Sequence, residues 1–208
     1  MHKRFKMVEL EVAEIIGTVA FALSGFYVAV KEKLDLLGVF IASFLTALGG
    51  GLVRDMLSNR SAYTFTHLMP TMLVLGVIVF GILFKLHKKD EIENTLYFIV
   101  SDTLGLVSFS ISGALIGLQA GFNFFGVILL ALITAVGGGV VRDILLNRVP
   151  LLLTSEFYGT VSLLVGAILY LFSLVSISGY MPLMAVFIFG VGLRLLAYYK
   201  HWQLPKIG

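Results

Sequence analysis

The chain has 208 residues and no cysteine; 59% of them are hydrophobic, 13% are charged, and the formal net charge is +3. Such a balance, with a mean hydropathy of +1.01, excludes a soluble globular domain, and the lack of thiols excludes a disulfide framework or a thiolate metal site. The basic excess does not point to nucleic acid, because Lys and Arg gather at the ends of apolar runs rather than on one polar face; anionic lipid headgroups are the expected partners.

Seven apolar stretches, each near the ~20 residues that cross ~30 Å of hydrocarbon, are predicted as membrane-spanning helices. The first, residues 10 to 30, follows the basic opening MHKRFKM. Glu9, Glu11 and Glu14 break its start and no small-residue cleavage site follows, so it is read as a retained helix rather than a signal peptide. The second, 36 to 57, runs into GGGLVRDMLSNR at 49 to 60. The third covers 69 to 86 and the fourth 96 to 118. The fifth, 122 to 146, runs into GGGVVRDILLNR at 137 to 148, and 158 to 177 and 180 to 199 complete the set. The connections leave no room for a soluble domain. His2, His67, His87 and His201 lie outside the spans or at their edges without ligand spacing, so neither a metal site nor a cofactor is expected.

A shift of 88 residues aligns Glu14 to Arg60 with Asp102 to Arg148 without a gap, and 18 of the 47 pairs are identical. Twelve of the identities fall on Gly, Ser, Thr, Arg, Asp and Asn and only one on Leu, which marks duplication rather than shared oiliness. Repeat 1 covers about 9–86, repeat 2 about 96–177, and the helix at about 180–199 stands alone, all in one transmembrane domain over 1–208. Each repeat holds three spans, and an odd number turns the second copy upside down relative to the first, the inverted-repeat plan. Five Lys and Arg (Lys3, Arg4, Lys6, Arg54, Arg60) fall on the N-terminal side against ten on the other (Lys31, Lys33, Lys85, Lys88, Lys89, Arg142, Arg148, Arg194, Lys200, Lys206). That imbalance puts the N-terminus outside and the C-terminus in the cytoplasm, although the three basic residues before the first span argue the other way. Tyr180, Tyr198, Tyr199 and Trp202 sit where interfacial aromatics belong.

Three successive glycines cost about 3 kcal/mol of intrinsic helicity. Gly49, Gly50 and Gly51 lie just past the middle of the second span, and Gly137, Gly138 and Gly139 just past the middle of the fifth. They suit close helix packing in lipid, or a kink that turns carbonyls into a polar path; symmetric placement with charges following favours the kink, and both can hold together.

Arg54 lies roughly 5 Å inside the apolar layer at 1.5 Å per residue, deep even for a snorkelling side chain. Its neighbour Asp55 points in another direction on a helix and is a poor direct partner. Glu14 shares its depth, and Asp102 shares that of Arg142, so two symmetry-related pairs are predicted, Glu14 with Arg54 and Asp102 with Arg142. Asp55 and Asp143 are left to face the cavity, to bind the paired arginine second-hand, or to cap backbone. Ser24, Thr46 and Asp55, with Ser112, Thr134 and Asp143, are candidate oxygen ligands for a permeating cation, and movement of the arginines is a candidate gate. No P-loop, dinucleotide fingerprint, HExxH or nucleophile motif is present, so an enzyme is not expected.

Seven spans, six of them in two inverted three-helix repeats, with GGGxVRDxLxNR in the second and fifth, make the whole chain resemble the trimeric intracellular cation channel family in its short prokaryotic form. The resemblance implies a homotrimer with an hourglass pore in each protomer, helices kinked at the two glycine triplets, and charged pore positions at Arg54, Asp55, Arg142 and Asp143. It further implies permeation of K⁺ and Na⁺, lipid bound between subunits and a prokaryotic plasma membrane. Animal relatives carry longer basic tails and a lysine motif in the second helix; the short QLPKIG after Trp202 and the VRD frame put regulation of that kind in doubt. The same bacterial domain is also described as a glycine transporter, a reading that broken helices and inverted repeats suit; balanced intramembrane charges and the lack of an extra proton-coupling group favour the channel. A scaffold whose glycines only pack helices is the third alternative.

Overall fold

The computed structural model describes residues 7–86, 91–154 and 157–202. His2, His87, Lys3, Arg4, Lys6, Lys88, Lys89, Lys206 and the tail after Gln203 lie outside the described residues. The protein is an all-α membrane protein. In order, the helices are α1 (Met7–Lys31), α2 (Leu36–Leu57), α3 (Tyr63–Thr66), α4 (Met69–Leu83), α5 (Glu91–Gln119), α6 (Phe124–Leu145), α7 (Leu151–Thr154), α8 (Tyr158–Leu174) and α9 (Tyr180–Tyr199).

Five helices, α1, α2, α5, α6 and α9, are long and apolar enough to cross a membrane. The third and sixth predicted spans form shorter apolar helices of 15 and 17 residues, each ending about three residues early. Left-handed residues stop them, Lys85 (φ 52°) after α4 and Ser176 (φ 65°) after α8, because a continuing helix cannot accommodate a positive φ. The four-residue helices α3 and α7 were not foreseen, and they too stand 88 residues apart.

Caps recur with the repeat. Asp35 and Asn123 accept the N–H groups of Gly38 and Gly126 at 2.7 and 2.9 Å and start α2 and α6, each satisfying an orphan donor of a first turn. At the other ends Asn59 and Asn147 take the left-handed conformation, both at φ 53°. Arg60 N–H then reaches Asp55 O at 2.9 Å, and Arg148 N–H reaches Asp143 O at 2.8 Å, the Schellman arrangement. The repeated Asn therefore terminates its helix, since Asn accepts the left-handed region better than most side chains.

The halves meet along α1 with α5 and α2 with α6. Phe21 and Phe109 stack with centroids 5.4 Å apart, and each ring lies over the other repeat's glycine, Phe21 on Gly105 and Phe109 on Gly17. Gly25 seats α1 on α2 at Ala42 and Ser43 as Gly113 seats α5 on α6 at Leu130 and Ala131. This exchange of contacts is that of an isologous two-fold interface made within one chain. In lipid, close approach of this kind rather than burial of apolar surface holds helices together.

Candidate functional site

The helix runs unbroken through both glycine triplets. A Cβ on Gly50 would overlap the Thr134 carbonyl oxygen, and one on Gly138 would overlap that of Thr46. Gly49 stands against the Cα of Gly138, and Gly137 against the Cα of Gly50. The first two glycines of each triplet thus let α2 and α6 touch backbone to backbone, the close packing that small residues permit in lipid. The third behaves differently. A Cβ on Gly51 or Gly139 would meet no backbone and would stand 3.8 or 3.7 Å from an Nη2 of Arg54 or Arg142.

Arg54 is 3% exposed and fully engaged. Its Nη1 donates to Glu14 Oε1 at 2.5 Å and to Ser112 Oγ at 2.6 Å, and the Ser112 hydroxyl donates to the same Glu14 oxygen at 3.2 Å. The Glu14–Arg54 pair expected from matched depth is present. The expectation that Asp55 is a poor partner is overturned: Arg54 Nε and Nη2 both donate to Asp55 Oδ1, at 3.0 and 2.8 Å. A guanidinium carries five donors on a long stem, so it turns back on its own helix and serves the adjacent carboxylate and Glu14 together. The other Asp55 oxygen accepts the Tyr63 N–H at 3.0 Å; Asp55 both pairs with the arginine and caps α3.

The second repeat follows this plan with one change. Arg142 Nε donates to Asp143 Oδ1 at 2.9 Å, and Asp143 Oδ2 accepts the Leu151 N–H of α7 at 3.2 Å. The predicted direct pair of Arg142 with Asp102 is replaced by a relay: Arg142 Nη1 donates to Ser24 Oγ at 3.4 Å, and the Ser24 hydroxyl donates to Asp102 Oδ1 at 3.0 Å. Aspartate is one methylene shorter than glutamate, and the serine fills that gap. Phe98 lies 5.9 Å from the Arg142 guanidinium, within cation–π range.

The candidate oxygen ligands are not uncompensated. Ser24 and Ser112 belong to the arginine clusters, while Thr46 and Thr134 donate back to Ala42 O and Leu130 O, each at 2.6 Å. Asp55 and Asp143 are 2% and 3% exposed and committed as above. Of the expected residues, Glu14, Gly51 and Arg54 line a cavity of ≈ 30 Å³ at the first repeat's mouth, with Glu11, Thr18, Tyr63 and Thr64 beside them. That is room for about two water molecules. Burial, then Glu14 and Glu11, raise the pKa of the Tyr63 phenol from its ordinary 10.0. Among the described residues no group of His, Asp or Glu is placed to hold a metal ion.

Sequence reasoning missed Tyr63, whose backbone needs α3 to be formed, and Arg194, Tyr158 and Phe98 around the second cluster. Arg194 carries a signal in the sequence, a lone charge within the apolar α9.

A family model described as glycine transporter matches residues 11–86 and again 99–174, two segments offset by the same 88 residues. The chain is 34% identical over 196 residues to the UPF0126 membrane protein YvgT of Bacillus subtilis, covering 94% of this chain and 95% of that one. It is 32% identical over 200 residues to the UPF0126 inner membrane protein YadS of Escherichia coli, covering 92% and 93%. Among solved structures, it resembles one described for conductance through TRIC cation channels (TM-score 0.82, 34% identity, 95% and 97% coverage). A prokaryotic TRIC channel in 0.5 M KCl gives 0.87, 30%, 96% and 100%. The trimeric intracellular cation channel orthologue from Rhodobacter sphaeroides gives 0.84, 26%, 94% and 100%.

Proposed function

The chain belongs to the trimeric intracellular cation channel family in its short prokaryotic form, the UPF0126 or glycine-transporter-domain proteins, and from that premise we propose that it is a monovalent cation channel. In this reading it crosses a prokaryotic plasma membrane seven times, α9 being the seventh span, with its two three-helix repeats inverted and its C-terminus in the cytoplasm. Three copies assemble, lipid fills the spaces between them, and each copy conducts K⁺ and Na⁺ through its own pore, K⁺ being the physiological ion.

The observation that carries the reading is the pair of buried arginine clusters related by exchange of the repeats. Each holds two carboxylates to one guanidinium, Glu14 and Asp55 with Arg54, Asp102 and Asp143 with Arg142. A carboxylate excess at membrane depth favours cations. The arginine in the middle opposes them, so its displacement toward a carboxylate opens the way. The Gly50–Gly138 contact is the constriction between the two mouths; parting α2 and α6 there would bare the carbonyls of Thr46 and Thr134 to a passing ion.

Purified protein in planar bilayers tests this with K⁺, Na⁺ and glycine compared. Discrete cation currents whose conductance or open probability changes in Arg54→Ala and Arg142→Ala are expected; unchanged conductance and open probability in both would remove the arginines from the path. The family model's own description favours a second reading, secondary transport of glycine. It predicts saturable uphill glycine uptake without unitary currents, whereas neither signal would leave a scaffold.

A further inference from the structure

The two mouths are not equivalent. The first opens on a cavity walled by the exposed Glu11 and the half-buried Glu14, with the buried Thr18 and Pro70 behind them; the difference between the repeats lies at the first two of these positions. The residues 88 positions on are Ile99, Asp102, Leu106 and Tyr158, exposed by 8%, 4%, 0% and 4%. What covers them includes α9, the helix with no counterpart in the first repeat. Gly190 lets α9 lie close on α5 and α8, since a Cβ there would meet Val107 at 2.9 Å and Val165 at 3.2 Å. One turn further on, Arg194 is 5% exposed, its guanidinium 5.2 Å from the Tyr158 ring centroid and 5.9 Å from that of Tyr198. Tyr158 is itself 4% exposed on α8, which packs against α5, the helix of Asp102. Arg194 thus fastens α9 to a helix that stands beside the second arginine cluster.

We propose that Arg194 is a positioning residue that bolts α9 over the second repeat's mouth, so that water and cations reach the first mouth at rest and the second only when Arg194 leaves Tyr158. Its charge supports the same end. With Arg194 in place a further guanidinium lies near the second cluster and offsets its two-to-one carboxylate excess, whereas the first cluster has Glu11 beside it in addition to Glu14 and Asp55. A planar guanidinium over a phenol ring is favourable when desolvated, whereas apolar helix packing in a bilayer competes with lipid.

The absence of cysteine makes the chain a clean background for thiol accessibility. Leu106→Cys reports the second mouth and Thr18→Cys, its repeat equivalent, reports the first. Labelling with a membrane-impermeant cationic thiol reagent is measured on the full chain in detergent, with Arg194 intact, as Arg194→Met and as Arg194→Lys. Expected are slow labelling of Leu106→Cys with Arg194 intact, acceleration by about tenfold or more in Arg194→Met, partial return toward the slow rate in Arg194→Lys, and an unchanged Thr18→Cys rate throughout. Equal Leu106→Cys rates with and without Arg194 overturn the proposal, as does equal acceleration at both positions, which marks general loosening. The proposal rests on the channel reading only for its consequence in currents, a higher open probability in Arg194→Met. Altered labelling with no current in any variant would count against the channel reading and leave the bolt standing.

Discussion

Arg54 and Asp55, adjacent in the chain, are ion-paired with each other in the interior at 2.8 Å. The same aspartate holds the first N–H of α3, so one side chain couples the charged cluster to the segment that folds back beside the cavity. Removing it leaves Nε and Nη2 of a buried guanidinium without their acceptor. Asp55→Ala is expected to cost about 3–5 kcal/mol, read as a lower thermal midpoint in detergent and faster proteolysis between residues 58 and 68. Asp55→Asn, which keeps an acceptor for the Tyr63 N–H, is expected to restore protection of that segment more than the midpoint.

Gly50 and Gly138 test the contact between α2 and α6. On propensity alone, Gly→Ala within a helix is worth about 1 kcal/mol in favour of folding. Here each new methyl meets a backbone carbonyl that cannot rotate away. Gly50→Ala and Gly138→Ala are expected to lower the yield of folded protein and the thermal midpoint. Gly76→Ala, in α4 with nothing within 4 Å, is expected to be neutral or stabilising within the described chain. A tolerated Gly50→Ala would show that the helices part without penalty.

Ser24 and Ser112 are identical repeat positions with unequal tasks. Ser112 supplements a guanidinium that already touches Glu14, whereas Ser24 joins Arg142 to Asp102. Ser112→Ala is expected to cost about 1 kcal/mol and Ser24→Ala about 2–3 kcal/mol, since the latter also unpairs a buried carboxylate. Thermal midpoints of the two variants side by side measure the difference, and equal losses would remove the relay.

Tyr63 gives a pH dependence. Burial and then Glu14 and Glu11 raise its phenol above the ordinary 10.0, so the folded protein holds that proton more tightly than the unfolded chain. Its contribution to stability is fully present below about pH 10 and is lost as pH rises through the elevated value. Spectrophotometric titration of phenolate is expected to show one tyrosine moving toward 10 in Glu14→Gln, and Tyr63→Phe is expected to remove that component.

The duplication was legible because it is written in the order of residues. It carried the match in depth that pairs Glu14 with Arg54, and the caps at Asp35 and Asn123 and the Asn59 and Asn147 helix ends recur with it in the folded chain. Depth is a linear property; it follows from 1.5 Å per residue and from the cost of a charge in hydrocarbon. For the same reason the sequence located the apolar runs that became the five long helices.

Only the tertiary structure decided which way each side chain turns and what it shares. Arg54 folds back on Asp55 because five donors on a flexible stem satisfy several acceptors at once, which a rule about neighbours on a helix surface does not capture. Ser24 entered between Arg142 and Asp102 because a carboxylate one methylene shorter leaves a gap that a helix from the other repeat happens to fill. The glycines proved to be surfaces of contact because their partners, the carbonyls of Thr46 and Thr134, lie 88 residues away in the chain and touch only when the halves close on each other. Arg194 acquired a role because the unrepeated α9 packs against one half of a nearly symmetric pair. Azimuth and shared partners depend on distances between elements, and those exist only once the helices have packed.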